Sequence, residues 1–276
     1  MLKIRDALTD ATRRLGERVD AEMLLIHVLD KPRSWLIAHA DDTLPPELSN
    51  AYAAFVARRE AGEPVAYVVG RRGFWSLDLE VTRATLIPRP ETELLVELAL
   101  ERLPREAAST VADLGTGSGA IALAIAQERP RTHVVATDAS ADALAVAQRN
   151  AQRHSIAHVS FLQGEWFAPL HDQRFDLIVS NPPYIESADP HLTEGDLRFE
   201  PLSALASGRD GLDDIRDIVR DATHHLTHRG WLLMEHGWNQ GEAVRLLLRD
   251  AGFVEIFTAR DMEQRERVSG GRWLGN

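Results

Sequence analysis

The sequence predicts an α/β protein: a smaller helical amino-terminal region followed, from about residue 110, by a mainly parallel sheet. Three observations carry this. From Thr110 onward, short apolar runs alternate with helical stretches, the rhythm of strands joined by crossover helices. The residues before about position 70 show helical spacing and no catalytic pattern. Between the two, Tyr67 to Leu86 is rich in aromatic and β-branched residues with turn-forming Gly70 and Gly73, which reads as a hairpin or short extended connection at a domain boundary.

Taken in order, Asp20 is placed to cap a helix running from Ala21 through Leu29. Asp41 to Glu47, with Pro45 and Pro46, breaks the pattern as a loop, and Leu48 through Ala61 resumes as a helix ending near Gly62. Pro88-Arg89-Pro90-Glu91 cannot be continuous helix, and Thr92-Glu93 opens a new helical repeat carrying Leu94, Leu95 and Leu98. The strands expected beyond are Thr110 to Leu114, His133 to Thr137, Val159 to Gln163, Phe175 to Ser180, Gly230 to Glu235 and Phe253 to Thr258, with one more from Arg267 to Leu274. Helices fill Ala120 to Ala126, Ala141 to Arg153, Asp213 to Leu226 and Gln240 to Arg249.

Composition limits the chemistry. With 276 residues and 44% hydrophobic content the chain can bury a full core. No run approaches the roughly 20 apolar residues of a membrane span, and no signal-peptide pattern opens the chain, so the expected address is cytoplasmic and no membrane partner is expected. The absence of cysteine excludes disulfides, thiolate catalysis and cysteine-ligated zinc. The 42 acidic against 31 basic residues, a net charge of -11, disfavour a broad grip on phosphates and hence stable nucleic acid binding, although Arg58-Arg59 or Arg71-Arg72 could form a local patch. His224, His225 and His228 lack convincing metal-ligand spacing and read as a solvated helix face, so no metal is expected.

The first chemical motif is Val111-Ala112-Asp113-Leu114-Gly115-Thr116-Gly117-Ser118-Gly119, an apolar strand running into a glycine-rich turn and then a helix. Glycine lets the backbone turn sharply and approach a ligand that a Cβ would repel. Asp138, closing the next strand, stands where a carboxylate can accept from both hydroxyls of a ribose. Together they describe a pocket for an adenosine-bearing cofactor. A glycine turn can also serve packing alone, and a nicotinamide dinucleotide fits this loop too, since Ala120 is a permitted variant of its third glycine.

The second motif decides between them. Asn181-Pro182-Pro183-Tyr184 follows the strand Phe175 to Ser180 and so lies at a carboxyl end in the same crevice. Two prolines stiffen the loop and remove its backbone donors, leaving acceptors. The Asn181 side-chain oxygen and the Pro182 carbonyl can receive both hydrogens of an NH2 group while the Tyr184 ring covers its flat face. An amide nitrogen is a poor nucleophile whose proton no side chain removes beforehand. Acceptors on both N–H bonds enrich the nitrogen and stabilise the charge that grows as it attacks a sulfonium methyl. A bare strand-ending turn is the plain alternative for this tetrapeptide.

These motifs, with Asp20-Ala21-Glu22, Gly62-Glu63-Pro64-Val65-Ala66-Tyr67, Phe74-Trp75, Leu86 to Glu93, Glu165-Trp166-Phe167, Phe199-Glu200-Pro201 and Gly208-Arg209-Asp210-Gly211-Leu212, resemble the PrmC/HemK family of peptide chain release factor N(5)-glutamine methyltransferases over nearly the whole chain. The resemblance implies a Rossmann-like class I methyltransferase domain with a seven-stranded, mainly parallel sheet at 75–276, including a hairpin or linker at 75–90. It implies a helical substrate-recognition domain at 1–74. The implied cofactor is S-adenosyl-L-methionine, released as S-adenosyl-L-homocysteine, and the implied substrate is the glutamine of the Gly-Gly-Gln motif in class-1 release factors.

By position, Gly115, Thr116, Gly117, Ser118 and Gly119 would line the methionine part of the cofactor, Asp138 would bind the ribose and Trp166 would pack near the adenine. Asn181, Pro182, Pro183 and Tyr184 would bind the glutamine, with Asn181, Pro182 and Tyr184 catalytic and Asn181 also touching the cofactor. Arg89, Glu91 and Thr92 either close over the pocket or form a proline-anchored linker. Glu165 departs from the aspartate usual in the family, and His236 and Trp238 stand where an aliphatic residue and a tyrosine are more usual. Because Asn-Pro-Pro-Tyr also occurs in nucleic acid amino methyltransferases, an adenine or guanine exocyclic amine is the alternative substrate. A non-catalytic binder of an adenosyl cofactor is a third reading, disfavoured because it has no use for paired acceptors.

Overall fold

The computed structural model describes residues 2–275, which divide into two compact units: the residues up to Arg71 with Gly195–Phe199, and Arg72–Glu194 with the residues from Glu200 on.

The first unit is helical: α1 (Ile4–Leu15), α2 (Arg18–Leu29), α3 (Arg33–Ala38), α4 (Pro46–Glu60) and α5 (Val65–Val69). Its core gathers Ile4, Leu24, Leu25, Leu36, Tyr52 and Val56, and each fully buried aliphatic contributes about 1.5–3 kcal/mol over the exposed state. Asp20 is not the cap expected of it. α2 begins three residues earlier, at Arg18 with Glu17 as its cap, and Asp20 sits in the first turn, where the helix dipole favours a carboxylate and where its Oδ2 accepts from Arg59 Nε at 2.7 Å. Tyr67 to Val69 are helical rather than extended. Pro64 initiates a short helix there, and burial of Val65 through Val68 overrides their β propensity.

The second unit carries a hairpin, β1 (Arg71–Phe74) with β2 (Leu77–Glu80), then a 3-10 turn at Pro90–Thr92 leading into α6 (Glu93–Arg102). Next come β3 (Thr110–Leu114), α7 (Ala120–Glu128), β4 (His133–Asp138), α8 (Ala141–Arg153), β5 (Val159–Gln163), β6 (Phe175–Ser180), α9 (Asp213–His225), β7 (Leu226–Glu235), α10 (Gly241–Asp250), β8 (Val254–Arg260) and β9 (Glu266–Arg272). The sheet has seven strands in the order β5-β4-β3-β6-β7-β9-β8. All its pairings are parallel except those of β9, which runs antiparallel to both β7 and β8. β7 starts at Leu226, four residues before the expected Gly230, with a register irregularity against β6 and Arg229 at φ 69°.

Chain order reverses between β3 and β6, the switch point at which open parallel sheets leave a crevice beyond their carboxyl ends. α7 is apolar all round because it is buried all round: every residue from Ala120 to Ala126 is buried. Its cap, Gly119, is left-handed at φ 85°, and a Cβ there would stand 3.1 Å from Leu123 and 3.2 Å from Ala147. Only glycine lets α7 approach α8 this closely.

Candidate active site

One cavity of about 250 Å³ opens at that switch point, lined by Gly115, Thr116, Gly117 and Ser118 after β3, by Asp138 at the end of β4, and by Asn181 and Pro183 after β6. Glu165 and Trp166 line it beyond β5, and Pro88, Arg89 and Thr92 line it from the segment before α6. Gly119, Pro182 and Tyr184 do not line it. Gly119 serves the helix packing described above, whereas Tyr184 turns its hydroxyl toward Glu235. Glu91 is likewise off the cavity wall, while its neighbours Arg89 and Thr92 are on it.

The glycine loop is held on three sides. The amides of Gly115 and Thr116 both donate to the Thr137 carbonyl at 2.9 Å. Fully buried Asp113 accepts from Thr116 Oγ1 at 2.6 Å and from the Ala122 amide at 3.2 Å, fastening the turn to the first turn of α7. Burial pushes the Asp113 carboxyl up to about 7. Asn150 on α8, also fully buried, donates to the carbonyls of Ser118 and Glu80 and accepts from the Glu80 amide at 2.7 Å.

Asp138 aims into this frame. Its Oδ2 accepts from the Gly117 amide and its Oδ1 from the Ser140 amide, each at 2.9 Å. Burial raises its pKa even so, which describes a carboxylate short of donors. Trp166, at φ 44°, faces Gly115 so closely that a Cβ on the glycine would lie 3.1 Å from the ring, and its buried indole N–H has no hydrogen-bond partner. An under-solvated acceptor, an aromatic wall with an unmet donor and a cradle free of side chains fit an adenosyl cofactor, whose ribose hydroxyls and adenine supply complementary groups.

Asn181 donates from Nδ2 to Thr92 Oγ1 at 3.2 Å, and its side-chain oxygen joins no hydrogen bond among the described residues. The loop behind it is fixed by Gln240, whose side-chain amide donates to the Tyr184 carbonyl at 3.0 Å and accepts from the Gly237 amide at 2.8 Å. Gly211, at φ 72°, passes so near that a Cβ would lie 2.2 Å from the Tyr184 carbonyl oxygen. The wall before α6 is anchored by fully buried Glu200, which accepts from the Ile87 amide at 2.9 Å and pairs with Arg89.

Glu165 and Thr85 line the cavity without having been assigned to it from the sequence, and Glu235, off the cavity wall, was given no task. Glu165 was legible only as the neighbour of Trp166, and Thr85 carried no signal. Glu235 was visible as a carboxylate ending the otherwise apolar run Trp231 to Met234, a pattern that marks a buried charge at a strand's carboxyl end. Of the arginines that could have formed a phosphate patch, Arg58 pairs with Glu63, Arg59 pairs with Asp20 and Asp196, and Arg72 donates to the Pro88 carbonyl at 3.3 Å. His225 stacks on Phe167 and its Nδ1 contacts the Gln173 carbonyl.

Residues 91–195 match the methyltransferase small domain, and residues 6–70 match the PrmC N-terminal domain. The release factor glutamine methyltransferase of Xylella fastidiosa (strain 9a5c) is 58% identical over 268 residues, 97% of each chain. That of Pseudomonas aeruginosa is 54% identical over 256 residues, covering 93% of this chain and 92% of the relative. In fold, the chain is similar to a T. thermophilus 16S rRNA N2 G1207 methyltransferase solved with AdoMet and guanosine, at a TM-score of 0.54, 20% identity, 74% of this chain and 49% of that one. With both family domains matched in order and close relatives aligned almost end to end, the chain belongs to the release factor glutamine methyltransferases, S-adenosylmethionine-dependent enzymes with a Rossmann-like catalytic fold.

Proposed function

We propose that this chain methylates the side-chain amide nitrogen of the glutamine in the Gly-Gly-Gln motif of class-1 peptide chain release factors. The observation that carries the reading is Asn181: it stands on the cavity wall with its NH2 held by Thr92 and its oxygen unclaimed. That oxygen and the Pro182 carbonyl accept the two N–H bonds of the substrate amide, leaving the nitrogen lone pair to face the cavity. When bound, the cofactor supplies an electrophilic sulfonium methyl and departs as S-adenosyl-L-homocysteine. As the N–C bond forms, positive charge grows on nitrogen, and both acceptors stabilise it before the amide proton passes to water. Orientation supplies much of the remaining acceleration.

Asp138 receives the ribose hydroxyls, Trp166 packs against the adenine, and Gly115, Thr116, Gly117 and Ser118 take the methionine portion. Gly119 shapes that loop from behind. Pro183 stiffens the acceptor corner, and Tyr184 bounds the glutamine site. The helical unit, 1–74 in this reading, recognises the release factor. A net charge of -11 and the pairing of Arg58 and Arg59 support a protein rather than a nucleic acid substrate. No described helix is long and apolar enough to cross a membrane, and the reading places the enzyme in the cytoplasm with its substrate.

The test is transfer of labelled methyl to a release factor, to its Gln-to-Ala variant in the Gly-Gly-Gln motif, and to DNA. Label on the first alone is expected. Label on the variant release factor or on DNA overturns the assignment.

A further inference from the structure

Glu235 ends β7 directly beside Asn181, because Ser180 and Met234 are partners in the parallel register and the next residue on each strand follows. It is fully buried. Tyr184 Oη donates to its Oε1 at 3.2 Å, and its Oε2 has no hydrogen-bond partner. The Thr92 side chain favours the ionised form of this carboxylate, although no hydrogen bond joins the two in this structure. Buried at 4% exposure, the Thr92 hydroxyl is also the group that meets Asn181. A buried carboxylate in a strand end costs several kcal/mol in desolvation.

A hydroxyl has one proton to give. If the proton turns toward a carboxylate, the hydroxyl meets Asn181 only through a lone pair, and Asn181 must then present its NH2 to Thr92 and its oxygen to the cavity. Asparagine's two ends are nearly the same shape, so packing alone does not choose between them. The reversed amide would offer N–H groups to the N–H groups of the substrate.

We infer that Glu235 is a positioning residue that, through Thr92, fixes which end of the Asn181 amide faces the substrate. The inference rests on the role proposed above for Asn181. Tyr184 is a second ligand of the same carboxylate, so the acceptor corner is held from both of its ends by one buried charge.

Burial raises the Glu235 carboxyl to about 7, against the opposing pull of Thr92, Arg267 on β9 and Tyr184; Glu91, from the turn before α6, pushes it the same way as burial. His236, the next residue, is itself buried and has its pKa lowered. The ionised carboxylate is the form that orients Thr92, so turnover should fall as the pH drops below about 7.

The experiment compares Glu235→Gln, Thr92→Val, Asn181→Ala and the double variant Asn181→Ala/Glu235→Gln. It measures kcat and KM for the release factor, cofactor affinity by calorimetry, and kcat against pH. Glu235→Gln and Thr92→Val are each expected to lower kcat by about tenfold or more at little change in cofactor affinity, a fraction of the loss on deleting a transition-state contact outright. Glu235→Gln should also lose the acidic limb of the pH profile. The double variant should be no slower than Asn181→Ala, because Glu235 acts through Asn181. Full turnover in both Glu235→Gln and Thr92→Val beside a slow Asn181→Ala overturns the inference alone, as does an additive double variant. Full turnover in Asn181→Ala overturns instead the reading on which it rests. Should Glu235→Gln not fold, Thr92→Val decides by the same criterion.

Discussion

Replacing Asp138 by alanine separates what this carboxylate does for the cofactor from what it does for the fold. In the free protein it accepts two backbone amides at 2.9 Å, yet burial still raises its pKa, so those bonds do not fully offset the desolvation of the charge. Removing it should therefore cost the fold little, below about 1 kcal/mol. The bound state differs, because two ribose hydroxyls add charge-assisted hydrogen bonds to the same oxygens. Their loss should weaken cofactor binding by about 1 to 3 kcal/mol, roughly fivefold to 150-fold. Calorimetric titration of S-adenosylmethionine into wild type, Asp138→Ala and Asp138→Asn, paired with chemical denaturation of each, measures both quantities. The asparagine variant keeps one acceptor and should fall between. Wild-type affinity should also weaken as acidification carries the pH down through the raised pKa of Asp138, and the alanine variant should lack that dependence. An affinity within twofold of wild type, or a fold destabilised as much as binding is, would refute the reasoning.

Asn181→Ala should leave cofactor affinity within about tenfold and cut kcat by roughly 10² or more, read in a labelled-methyl assay; near-normal turnover would reject the role assigned to its oxygen. Gly211→Ala should destabilise by more than about 2 kcal/mol in denaturant, since its Cβ would meet the Tyr184 carbonyl at 2.2 Å in a left-handed backbone; a wild-type midpoint would contradict that packing. Asp113 and Glu235 both titrate near 7 folded, against ordinary values of 3.8 and 4.5. Raised pKa values mean the folded state binds the proton more tightly, so their contribution is fully present below the unfolded values and is lost as the pH rises through about 7. Glu235→Gln should accordingly gain thermal stability over wild type on the alkaline side of that window and lose the advantage on the acid side, and a pH-independent difference in Tm would show the carboxyl to be unstrained.

Three of the parallel strands were legible as short apolar runs stopped by turn-forming residues: Gly115 after β3, Gly164 after β5, and Asn181-Pro182 after β6. The start of β7 was hidden because Thr227-His228-Arg229 looks like loop, and pairing rather than composition extends the strand through it. α5 was hidden for the opposite reason, since Val65 to Val69 has strand composition and is helical through burial. At the site, the glycine turn, Asp138, Trp166 and Asn181 could be read directly, because each has a residue type matched to one chemical task. Thr92 could be named but not given a task, Thr85 reaches the cavity only through the fold, and Glu235 stands next to the Asn181 loop only through the pairing of β6 with β7.

The first compact unit is discontinuous: five residues, Gly195–Phe199, complete it from the far side of Asn181-Pro182-Pro183-Tyr184. One of them, Asp196, receives Arg59 at 2.9 Å, and another, Arg198, donates to the Ala61 carbonyl at 3.3 Å. Cutting the polypeptide after Arg71 would thus leave the first unit incomplete, its last five residues staying with the second. The excised amino-terminal piece would carry an Arg59 stripped of one carboxylate, and grafting a relative's helical module onto this catalytic unit would require carrying that short segment along with it. Exchange of the helical unit between such enzymes is a two-piece transplant.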